Sequence, residues 1–113
     1  MIPSAWVSRW AEQLPRARPV LDLACGNGRH AVYLADRGHP VSAVDIDLGP
    51  SEAVRSTPGI VWRQADLEHA PWPYAGCCFG GIVVSRYLHR PLFDVLFDSL
   101  EPGGVLIYET FAL

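Results

Sequence analysis

Lysine is absent from this chain: all nine basic side chains are arginines, spread singly from Arg9 to Arg90 against twelve acids, for a net charge of −3. No basic stripe or block forms, so electrostatics give no support for a nucleic-acid footprint. Cysteine is scarce, and Cys25, Cys77 and Cys78 make an odd set without a CxxC spacing, which suggests neither a disulfide framework nor a zinc site. A reducing cytoplasm is the expected compartment. Long apolar runs are also lacking: nowhere do the ~18 consecutive apolar residues of a membrane span occur, and the opening MIPSAWVSRWAEQL has no basic leader followed by an apolar segment. Membrane spanning and secretion are therefore not expected. Internal repeats are missing too, and the ten glycines and ten prolines are dispersed between apolar runs. With 113 residues, half of them hydrophobic, the chain reads as a single domain over 1–113.

Apolar periodicity divides that domain into alternating elements. Ile2, Trp6, Trp10 and Leu14 recur every fourth residue beside Val7, predicting a helix over about 4–14 that ends at Pro15. Its stripe either packs on the core or lies over a ligand mouth. Residues 20–25 read as a buried strand broken only by Asp22, and Gly26-Asn27-Gly28 turns it into a helix over 29–37, with Ala31, Leu34 and Ala35 on one face and Gly38 past its end. A strand over 41–46, a short helix over 49–57 and a strand over 60–65 follow. A turn-rich loop at 69–76 leads past Cys77 and Cys78, read as buried filler, to a central β-branched strand at 81–85. Residues 91–100 predict an amphipathic helix with Leu92, Phe93, Leu96, Phe97 and Leu100 on one face; Pro102-Gly103-Gly104 breaks it before a fifth strand at 105–111. Strands alternating with helices predict an α/β fold, a Rossmann-like doubly wound and mainly parallel sheet of about five strands with helices on both faces.

Such sheets bind ligands beyond the carboxyl ends of their strands, so the turn after the first strand, DLACGNGRH, is the place to look. Gly26 and Gly28 remove side chains where the backbone turns sharply, and the following helix offers unpaired N–H groups. Two readings compete. The run Gly26 to Ala31 satisfies GxGxxG/A, and Asp45 lies 17 residues beyond Gly28, as in a nicotinamide dinucleotide fold. Against that reading stands Asp22, an acid inside a buried strand, which requires a partner such as a cationic amino group.

The stretch VLDLACGNGRHAVYLADRGHPVSAVDID resembles the first two motifs of the class I S-adenosylmethionine-dependent methyltransferases, and the likeness continues through QADLE, GGIVVSRYLHRPLF and LEPGGVLIYETF. The resemblance implies S-adenosyl-L-methionine as cofactor. Asp22 and the backbone of Ala24, Cys25, Gly26 and Gly28 would hold its methionine end, and Asp45 would accept both ribose hydroxyls. Ile46 would pack on the adenine, Asp66 would take the adenine amino group with the Leu67 backbone beside it, and Ser85 would close the set. Arg29 or His30 would face the cofactor's carboxylate, although a cation at a helix start opposes the helix dipole. Tyr87, His89 and Arg90 become candidates for contacting substrate; Arg63 and Glu68 read as surface residues.

Departures from the family pattern are Ala24 where the first glycine of the triplet stands, Gly80 where an acid often follows Phe79, and Arg86 where an Asn commonly precedes the Tyr. The family fold also has seven strands, so this chain is expected to lack the last two and to leave an exposed sheet edge open to self-association. The implied function is methyl transfer to a small-molecule acceptor. The alternatives are a cofactor-binding module without catalysis and an NAD-binding oxidoreductase fragment.

Overall fold

The computed structural model describes residues 1–110, and within them one parallel sheet carries the whole architecture. Its strands are β1 (Val20–Leu23), β2 (Val41–Asp45), β3 (Ile60–Gln64), β4 (Phe79–Ser85) and β5 (Leu100–Glu109). They lie in the order β3-β2-β1-β4-β5, every neighbouring pair parallel. The chain thus winds outward from β1 in one direction, then returns to its other side through β4. Between β1 and β4 lies the switch point at which connections leave the two faces and a crevice opens.

Alternation along the strands sorts the core into two layers. Val20, Val41, Ala43, Val83 and Ile107 face α1 (Ala5–Ala11) and α2 (Arg29–Asp36), packing on Val7, Ala11, Leu14, Ala31 and Leu34. Leu21, Leu23, Val44, Ile82 and Val84 face the opposite side, where Leu92 and Leu96 cover them together with Tyr74. Each fully buried Val, Leu or Ile among them contributes about 1.5–3 kcal/mol. By the same alternation Asp22 shares the face of Val20 and is aimed at α2.

Several boundaries differ from the sequence reading. The first helix is capped by the Ser4 hydroxyl at the Val7 N–H and stops at Ala11, so Ile2 lies outside it, exposed, and Trp6 is only half covered. The β1 strand stops at Leu23, because Ala24 takes a left-handed φ of 59°. The helix expected over 49–57 shrinks to α3 (Glu52–Arg55), one turn capped by Ser51. The helix expected over 91–100 becomes a 3-10 turn (Arg90–Leu92) followed by α4 (Phe93–Asp98).

Leu100 belongs instead to β5, pairing with Phe79, and the next pairing is Gly81 with Val105. Residues 101–104 therefore bulge against Gly80, with Gly103 at φ 81° making the excursion. Phe97, expected on the helix's buried face, is 59% exposed. Cys77 and Cys78 are exposed, not buried filler: they sit in the loop before β4 begins. The fifth strand is expected from sequence to reach 111, which lies outside the described residues. Among the described residues no helix is long and apolar enough to cross a membrane.

Candidate functional site

A cavity of about 640 Å³ opens at the carboxyl ends of β1, β2, β3 and β4. Its floor is the turn after β1. Cys25 continues the ladder by donating its N–H to the Val44 carbonyl at 3.0 Å, and Gly28 closes the turn onto the Cys25 carbonyl at 3.0 Å. Gly28 then serves as N-cap of α2 with φ 86°. A Cβ there would meet the Trp62 ring at 2.7 Å, so glycine is required both by conformation and by space. The Asn27 side chain accepts the Arg29 N–H at 3.2 Å, filling one orphan donor of the helix start.

Asp45 ends β2 and reaches across to this turn. One of its oxygens accepts the Gly26 N–H at 2.9 Å, and the other faces the Asp47 N–H at 3.4 Å. The carboxylate therefore fixes the glycine turn while its remaining lone pairs face the cavity. Ile46 follows it, 56% exposed, an apolar side chain offered to the opening. At the end of β3, Asp66 caps its own turn through the Glu68 and His69 N–H groups and pairs with the His69 ring at 3.0 Å. These hydrogen bonds, led by that from Glu68, hold its pKa below the usual carboxylate range.

Asp22 occupies a different layer. It is 1% exposed and lies behind the cavity wall, not on it. Its carboxylate accepts the Ala31 N–H of α2, yet Oδ2 has no partner among the described residues. Burial pushes its pKa up to about 7, with the Ala31 hydrogen bond opposing and the Asp45 charge adding to the rise. Beside it, burial and the two acids push the Cys25 thiol to about 12, which makes it an inert packing group.

The cavity thus brings together Ala24, Cys25, Gly26, Asp45 and Ile46 from the first half of the predicted set, and Asp66, Leu67 and Ser85 from the second. Gly28 lies beneath it, shaping the turn. Arg29 and His30 stand on the wall as well. Of the substrate candidates Tyr87 lines the cavity, whereas His89 and Arg90 do not; His89 stays near it through Glu68 Oε1 at 3.5 Å. Glu68 corrects the surface assignment: it lines the cavity and accepts the Tyr87 hydroxyl at 3.0 Å, bridging the loops after β3 and β4. Arg86 enters the sequence reading only as a departure from the family pattern, and it lines the cavity in a left-handed conformation, φ 56°. No local pattern distinguishes either side chain from a surface charge, since both depend on two loops meeting.

His30 is the remaining surprise. It is 4% exposed, and its Nε2 accepts the Ser4 N–H at 3.1 Å, tying the start of α1 to the cavity wall. Burial, reinforced by the Arg29 charge, lowers its pKa to about 4, so the ring is neutral at physiological pH.

The methyltransferase-domain family profile matches residues 20–104, most of the chain and every strand end that borders the cavity. The chain belongs to this family. Among its relatives, a trans-aconitate 2-methyltransferase of Rhizobium leguminosarum bv. trifolii is 36% identical over 99 residues, covering 82% of this chain and 38% of that protein. An uncharacterized methyltransferase of Mycobacterium tuberculosis is 37% identical over 100 residues, covering 81% of this chain and 50% of its own length. In three dimensions an S-adenosylmethionine-dependent methyltransferase from Mesorhizobium loti superposes with a TM-score of 0.69 at 26% identity, covering 93% of this chain and 53% of that one. The chain accordingly spans half or less of the curated relatives it matches. The doubly wound methyltransferase architecture is the one expected from the motifs.

Proposed function

We propose that this chain binds S-adenosylmethionine in the cavity and serves methyl transfer to a small-molecule acceptor. One observation carries the reading: the ends of three separate strands present to one cavity the acceptors that an adenosyl ligand needs, while a buried carboxylate behind them lacks a partner. A cationic amino group seated against this wall supplies the opposite charge that Asp22 lacks, and its arrival favours the ionised form that burial alone opposes. A cavity of about 640 Å³ falls within the usual range for small-ligand sites. The relatives support the same reading, one being named for trans-aconitate and a solved neighbour for S-adenosylmethionine.

In this reading Asp45 accepts the two ribose hydroxyls with the lone pairs left after its bond to Gly26, so cofactor and glycine turn share one anchor. Ile46 supplies an apolar surface for the base. Asp66 and the Leu67 backbone provide acceptor and donor at its edge, and His69, 82% exposed, swings away from Asp66 at little cost. The bound cofactor supplies a methyl group on a sulfonium, open to in-line displacement. The protein's work is then to hold the acceptor close and aligned, from the β4 end where Ser85, Arg86 and Tyr87 stand.

Calorimetry of the purified chain with S-adenosylmethionine, S-adenosylhomocysteine and NAD, repeated on Asp45→Ala, tests this. Selective binding of the two adenosyl-sulfur ligands, lost in the variant, is the expected result. Preference for NAD refutes it.

A further inference from the structure

The wall of the cavity is electrostatically lopsided in a way that cofactor binding does not use. Its acids are all engaged: Asp45 by the Gly26 N–H, Asp66 by the Glu68 N–H, and Glu68 by the Tyr87 hydroxyl. Glu109, just behind Ser85, takes that residue's hydroxyl at 3.2 Å. The two guanidiniums on the wall, Arg29 and Arg86, form no ion pair or side-chain hydrogen bond among the described residues. Arg86 is held at its backbone, where its N–H donates to the Glu109 carbonyl at 2.8 Å across the ends of β4 and β5. The backbone at Arg86 is thus fixed, while its side chain is left without a partner among the described residues.

His30 lies within the field of both arginines and of Glu109. Because its Nε2 lone pair accepts the Ser4 N–H, the neutral ring carries its proton on Nδ1 and is a donor there. No acceptor among the described residues takes that proton. This end of the cavity therefore offers N–H donors and positive charge, offset by Glu109 and, through Tyr87, by Glu68.

The basic groups at the same end are already partnered. The His30 lone pair is occupied, and the Tyr87 hydroxyl gives its proton to Glu68, which also faces His89 at 3.5 Å. Burial, then the hydrogen bond to Glu68 and its charge, push the Tyr87 pKa up, away from any role as a phenolate. An alcohol, phenol or ammonium acceptor has to lose a proton before or during attack. A carboxylate arrives already ionised.

We infer that the methyl acceptor is a carboxylic acid, bound as its anion by Arg86 and the Nδ1–H of His30 and methylated on a carboxylate oxygen. The inference rests on the methyl-transfer reading above. The acceptor oxygen gives an electron pair to the methyl carbon, and the carbon–sulfur bond breaks with its pair remaining on sulfur. A neutral methyl ester and a neutral thioether result, with no proton to move and no change of redox state. Arg29, at the start of α2, is left for the cofactor's own carboxylate.

The test uses the full chain saturated with S-adenosylhomocysteine, titrated in a calorimeter with tricarballylate and, separately, with its uncharged triamide. Tricarballylate binds and the triamide does not. Arg86→Gln weakens tricarballylate at least about tenfold, as expected for loss of a charge-assisted pair, a larger loss than in its S-adenosylhomocysteine affinity measured alongside. Arg86→Lys restores part of the loss. Equal binding of the triamide, unaltered tricarballylate affinity in Arg86→Gln, or no tricarballylate binding by the loaded chain overturns the inference. With methyl-labelled S-adenosylmethionine, label transferred to tricarballylate and released as methanol by alkali supports it; alkali-stable label overturns it. A chain that fails to take up S-adenosylhomocysteine at the first step refutes the methyl-transfer reading itself, a separate outcome.

Discussion

Asp22→Asn removes a charge while keeping the shape of the side chain, at a position where the two states of that charge differ widely in energy. In the fold Asp22 titrates at about 7, against an ordinary value of 3.8. The folded chain therefore binds more protons than the unfolded one between those values, and stability falls as pH rises through the interval and is flat above it. At ~1.4 kcal/mol per pKa unit, ionised Asp22 costs the fold about 4 kcal/mol once pH exceeds its folded value. The cost is already about 2 kcal/mol near pH ~5.5, so the advantage of the amide variant grows by about 2 kcal/mol between pH ~5.5 and ~8. In a domain of this size that corresponds to roughly 10 °C in Tm. Thermal and urea unfolding of both proteins at the two pH values measures it. A stability gap that stays constant with pH, or a wild-type chain that is the more stable of the two at pH ~8, refutes the reasoning. Calorimetry adds the other half: the more stable variant binds S-adenosylhomocysteine more weakly, because a neutral amide lacks the charge that attracts an ammonium.

Three further outcomes follow from the geometry. Asp45→Ala loses the anchor of the Gly26 turn and both ribose acceptors, and S-adenosylhomocysteine affinity drops at least about tenfold by calorimetry, in line with hydrogen bonds to a charged group. Gly28→Ala combines a left-handed backbone with a Cβ driven into the Trp62 ring, and urea unfolding shows a loss of about 2–4 kcal/mol. His30 has a folded pKa of about 4, below its unfolded 6.5, so stability drops as pH falls through that window; His30→Gln removes this acid limb from the urea midpoint profile.

How much of this is legible in the sequence depends on how local the determining physics is. The five strands and their parallel winding follow from periodicity, and most of the residues that line the cavity from the ordered motifs, because those features are written in contiguous stretches. Helix ends are less accessible. The bulge at 101–104 draws Leu100 into β5 through its pairing with Phe79, an event no pattern within 91–100 records. Asp22 is recognisable from sequence as a buried acid in need of a partner, but only strand alternation within the folded sheet places it behind the wall instead of on it. Glu68, Arg86 and the His30 to Ser4 contact arise where segments far apart in sequence meet, the last across 26 positions. In the sequence Arg86 is only an oddity. Its significance emerges from the engaged state of every acid around it.

The hydrogen bond from Ser4 to His30 also gives the protein a built-in optical probe. Ser4 caps the helix that carries Trp6 and Trp10, whose rings lie 5.6 Å apart, and His30 forms part of the cavity wall. Whatever displaces or protonates that imidazole pulls on the segment bearing both indoles. A ligand that breaks this hydrogen bond is expected to shift the emission of Trp6 and Trp10, resolved from that of Trp62 and Trp72 by Phe substitution of the latter pair.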